Sequence, residues 1–75
     1  MQLQYIPAEE RFYVRFTEEA AAQYPSGCFS TVANYPVYAI RLRASGTEDV
    51  TEFFIPASDG TFYWVDARQT RLARR

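Results

Sequence analysis

Between Arg11 and Phe16 the chain alternates strictly, with Phe12, Val14 and Phe16 on one side of an extended backbone and Arg11, Tyr13 and Arg15 on the other. A helix would scatter these side chains around its axis, so the pattern is that of a strand with one face in a core. The segment from Val37 to Arg43 repeats it, with Tyr38, Ile40 and Leu42 expected inward and Ala39, Arg41 and Arg43 outward. Residues 50–55 and 61–65 are rich in β-branched and aromatic side chains and are bounded by Gly, Pro, Ser and Asp, so two more strands are expected. Shorter candidates lie at 3–6, 29–32 and 70–73.

One stretch breaks the period and predicts a helix over 17–24. Thr17 suits the N-cap, Glu18 and Glu19 complement the dipole in the first turn, and Ala20, Ala21 and Ala22 follow. Pro25 ends it. A helix of about two turns does not persist alone in water, so it must dock on the sheet through Ala21 or Tyr24.

A chain of 75 residues has room for a single domain, 1–75, with one core. Cys28 is the one cysteine, so no internal disulfide can staple it. The core must come from rings: six Phe, six Tyr and one Trp make up 17% of the chain, and each can bury about 150–250 Å². A lone thiol fits an intracellular, cytoplasmic protein better than a secreted mini-domain. No apolar run nears the roughly 18 residues that cross a bilayer, and no basic-then-apolar leader opens the chain, so neither a membrane span nor export is expected. Reading from Met1 to Arg75, a whole protein is expected rather than an excised module.

Turn chemistry sets the strand order. The residues from Ala44 to Asp49 join the second and third strands, and pairing Arg43 with Val50 places Arg41 opposite Glu52 and Ile40 opposite Phe53, which matches both faces. The residues from Pro56 to Gly60 join the third and fourth. Here two registers remain open: a four-residue loop turns Phe62 and Trp64 inward, and a loop with a Gly bulge turns Tyr63 and Val65 inward.

The last third of the chain runs from an aromatic strand, Thr61-Phe62-Tyr63-Trp64-Val65, through a short polar turn, Asp66-Ala67-Arg68-Gln69, to Thr70-Arg71-Leu72. In architecture this resembles the close of Src-homology-3-like small barrels, where one helical turn leads to a final strand. The resemblance implies a long excursion over 17–36 between the first two strands. It carries no proline-peptide specificity, because the acidic cluster and paired Trp of the peptide-binding members have no counterpart. The fold expected is mainly β, with five or six antiparallel strands and one short helix. The sheet is either open or wrapped into a partly open barrel.

The missing chemistry is as informative. With no His and no Lys, the commonest general base, the imidazole metal ligands and amine chemistry are absent together. Cys28 lacks a histidine to activate it and reads as a small filler. The acid pairs Glu9-Glu10, Glu18-Glu19 and Glu48-Asp49 are sequence neighbours whose side chains point apart. Neither an enzyme nor a metal or other cofactor is expected.

Surface recognition remains. The outward face of the main sheet is expected to carry Arg11, Tyr13, Arg15, Arg41, Arg43 and Phe54, a mixture found at protein hot spots and on single-stranded nucleic-acid platforms. Tyr13, Arg15, Arg41, Arg43 and Phe54 are the partner-binding candidates. Tyr24, Phe29 and Tyr35, on the excursion, form a second set whose plainer role is to cover the core. A net charge of −1 and the absence of Lys favour a larger protein partner over nucleic acid. The expected role is a non-enzymatic interaction domain, an accessory, regulatory or inhibitory subunit that occupies a partner's surface. The alternatives are a nucleic-acid binder using the sheet arginines and the Arg68, Arg71, Arg74 and Arg75 tail, and a homo-oligomer closing its own strand edges.

Overall fold

In the computed structural model, which describes residues 2–73, the alternating segments become the strands of two antiparallel sheets. The larger has the order β1-β4-β5-β6, formed by Gln2–Tyr5, Ala39–Ser45, Glu48–Pro56 and Phe62–Asp66. The smaller has the order β3-β2-β7, formed by Tyr35–Pro36, Tyr13–Phe16 and Thr70–Ala73. A single 3₁₀ turn at Ala67–Gln69 carries the chain from one sheet to the other. It is capped by Asp66, whose carboxylate accepts the Arg68 N–H at 2.8 Å, and locked by Thr70 Oγ1 donating to the Ala67 carbonyl at 2.8 Å. Among the described residues no ladder joins the two sheets, so of the two arrangements expected the open one is found, and the sheets do not close into a barrel.

The first hairpin adopts the expected register, with Arg41 opposite Glu52 and Ile40 opposite Phe53. Its loop is tighter than the sequence suggests: Ser45 pairs with Glu48, leaving Gly46-Thr47 as a two-residue turn. Gly46 has φ +66° and Thr47 is not in the left-handed region, the requirement of a type II′ turn. In the second hairpin Ile55 faces Tyr63 and Phe53 faces Val65, so Tyr63 and Val65 point inward. Gly60 at φ +87° makes that loop possible.

The core lies between the sheets. Val14 and Phe16 of β2, Ile55 of β5 and Val65 of β6 meet Val37, Ala57, Phe29, Tyr35, Cys28 and Ala20 there. Phe16 and Phe29 stack with centroids 4.0 Å apart, and Tyr24, Tyr35 and Tyr63 surround them edge-on. The rings thus supply the burial that a disulfide-free chain of this size needs.

Two expectations change. The helix is shorter, α1 at Glu18–Ala21, with Thr17 Oγ1 accepting the Ala20 N–H at 3.2 Å and residues 22–24 continuing only as turns. It docks chiefly through Ala20, with Ala21 and Tyr24 beside the core. Residues 29–32 form no strand: the Ser30 N–H donates to Tyr35 Oη at 2.6 Å and the Val32 N–H to Ser30 Oγ at 3.2 Å, local bonds that replace a ladder.

Candidate interaction face

Side chains that leave the larger sheet away from the core form registered rows. Tyr5, Ala39, Phe54 and Trp64 make one row across the four strands, and Leu3, Arg41, Glu52 and Asp66 make the next. Ala39 is 0% exposed yet takes no part in the interior cluster, because its small side chain sits in register between the larger Tyr5 and Phe54.

Tyr38 departs from the face that strict alternation assigns to it. Its N–H donates to the Phe54 carbonyl at 2.9 Å while Ala39 is the register partner of Phe54, so two consecutive residues oppose one. This is a β-bulge, and it re-aims the Tyr38 ring toward Phe62, 5.2 Å away and edge-on.

The rings and guanidinium groups of this face touch in an unbroken series. Arg11 lies 3.9 Å over the Tyr38 ring, Tyr38 meets Phe62, Phe62 stacks on Phe54 at 4.9 Å, Phe54 meets Trp64 at 4.8 Å, and Arg41 covers Trp64 at 4.2 Å. Arg41 Nε then donates to Glu52 Oε1 at 2.7 Å, and Arg43 Nε donates to the same oxygen at 3.3 Å. Each side chain of the series rests on the next. Arg11 Nε is buried and has no hydrogen-bond partner among the described residues, its guanidinium being held by the Tyr38 ring.

Electrostatically the face is mixed. Glu52 carries two guanidinium groups for one carboxylate, leaving a local excess of one positive charge. Beside it, hydrogen bonds from Arg68 hold the Asp66 carboxyl below the usual carboxylate range, with the Arg68 and Arg43 charges adding to the effect. Exposed apolar surface flanks the series: Tyr5 is 73% and Phe62 41% exposed, and Leu3 is also open to solvent.

The expected partner-binding residues divide between the two sheets. Arg41, Arg43 and Phe54 belong to this face, and Arg11 joins it by stacking on Tyr38. Tyr13 and Arg15 do not, because β2 pairs with β3 and β7 and turns its polar side outward from the other side of the core. Phe29 and Tyr35 are interior residues, and Tyr24 is half-buried with its hydroxyl donating to Gln69 Oε1 at 2.9 Å. This second set is therefore part of the core and its cover. Alternation alone missed Phe62, Trp64, Leu3 and Tyr5, and it turned Tyr38, which the Tyr-rich excursion also offered as a contact residue, inward. The signal for Phe62 and Trp64 was the Gly-bulge register of the second hairpin, which places both beside Phe54. Arg74 and Arg75 lie outside the described residues.

Cys28 is buried, with Sγ 3.5 Å from Asp59 Oδ2 and 3.6 Å from Tyr63 Oη. Bonding to Cys28 and partial burial push the Tyr63 phenol above its ordinary range, whereas the Thr61 N–H holds the Asp59 carboxyl below its own. Among the described residues, no group of three or more acids or cysteines is arranged to hold a metal ion, and no helix is long and apolar enough to cross a membrane. Comparison with models of protein families, with curated proteins and with solved structures yields no match.

Proposed function

We propose that this domain is a non-enzymatic protein-binding module, an accessory, regulatory or inhibitory subunit that acts by laying the outer face of its larger sheet on a bigger partner. The observation that carries this reading is the continuous series Arg11, Tyr38, Phe62, Phe54, Trp64, Arg41. Trp, Tyr and Arg are the types most enriched among residues that dominate binding energy, and holding them in place beforehand lowers the entropy lost on association. The exposed apolar flank of Leu3, Tyr5 and Phe62 supplies area that water covers poorly.

The same residue types also serve single-stranded nucleic acid, where bases stack on rings and phosphates meet Arg. The engagement of both Arg41 and Arg43 by Glu52 and the chain's net charge of −1 favour protein. Replacing Phe62 by Ala separates the two readings. A protein partner loses about 2 kcal/mol or more of affinity, roughly thirtyfold, with little salt dependence. Strong oligonucleotide binding with a steep salt slope overturns the proposal.

A further inference from the structure

The smaller sheet has an outer face of different chemistry. Arg15 and Arg71 are direct cross-strand partners on β2 and β7, both exposed. Like charges placed opposite each other on a sheet repel. Among the described residues, no acid lies within ion-pair distance of either: Arg15 Nε donates to Asn34 Oδ1 at 2.7 Å, and Arg71 Nη1 donates to the Thr70 carbonyl at 3.3 Å. This contrasts with Arg41, Arg43 and Arg68, which all have carboxylate partners. β7 pairs with β2 alone among the described strands, so its other edge is open. Next to Arg71 on the opposite side of that strand, Leu72 is 77% exposed.

We infer that the open edge of β7 takes an extended segment of a protein partner that alternates acidic and apolar residues. A strand laid along this edge satisfies its free backbone groups, and its side chains fall by turns beside Arg71 and beside Leu72. An acid on the outward side pairs with Arg71 and halves the charge of the Arg15–Arg71 pair, and an apolar residue on the other side covers Leu72. A second copy of the same edge does not fit, because its Arg71 adds a third positive charge to the same place. This site is independent of the larger sheet.

The test is titration of the full chain with a capped, labelled eight-residue peptide of alternating Asp and Val. Tight binding is expected to the native chain and to the Phe62→Ala variant alike. The Arg15→Ala, Arg71→Ala double variant loses at least tenfold and Leu72→Ser loses severalfold, with no fall in thermal stability for the double variant because a repulsion is removed. A peptide of alternating Lys and Val does not bind, and backbone N-methylation along one edge of the Asp-Val peptide abolishes binding while methylation along the other does not. The inference is overturned if four Asp followed by four Val bind as well, if an oligonucleotide or inorganic phosphate of equal charge displaces the peptide, or if the double variant binds unchanged.

Discussion

Glu52 is 8% exposed on the outward side of the larger sheet, and Arg41 and Arg43 both donate to its Oε1 there. Removing Arg41 takes away the shorter bond and the cation above Trp64, leaving a largely buried carboxylate with Arg43 at 3.3 Å. Arg41→Ala is therefore expected to cost about 2–3 kcal/mol in a urea titration, more than an exposed sheet arginine. Cys28 is a different case, a buried thiol between Asp59 and Tyr63. Cys28→Ala is expected to lose about 1 kcal/mol of stability and no partner affinity. Loss of binding in a folded variant contradicts that role. Asp66 contributes to stability in acid. Its folded carboxyl titrates below the unfolded one, so the stability it contributes is full above about pH 4 and is lost as pH falls below that. Asp66→Asn should flatten the acid limb of a melting-temperature profile. At this scale the Arg41–Glu52 pairing was legible in the sequence because both loop chemistry and face matching demanded it. The burial of Glu52 was not, since alternation places it on the outward side and carries no sign that two arginines close over it.

Among the elements, strands with clean alternation were legible and the excursion was not. Its backbone is held by ring hydroxyls and turn bonds such as Ser30 N–H to Tyr35 Oη, partnerships that no periodicity announces. The bulge at Tyr38 and Ala39 was equally hidden, because period two carries no mark of the extra residue. α1 is one turn held by a cap, so the cap matters more than helix propensity. Thr17→Ala is expected to destabilise the domain by about 1 kcal/mol in thermal or urea unfolding. An unchanged midpoint would show that Ala20 docking alone holds the turn.

For the molecule as a whole, one core separates two outward faces of unlike chemistry. The larger sheet offers rings bracketed by arginines, and the smaller offers two arginines with no ion-pair partner among the described residues. The sequence put Tyr13 and Arg15 together with Arg41, Arg43 and Phe54 because all five are outward on alternating strands, and alternation does not say which sheet a strand joins. The central claim is that the ring series docks on a protein. It is tested most directly by replacing Phe62 with a photo-crosslinking p-benzoyl-phenylalanine, with the same replacement at Glu19 on the exposed side of α1 as the control, and irradiating each in a lysate of the source organism. The account predicts one discrete, protease-sensitive adduct of higher mass from position 62 and none from position 19. Adducts alike from both positions, none from either, or adducts that nuclease removes would contradict it.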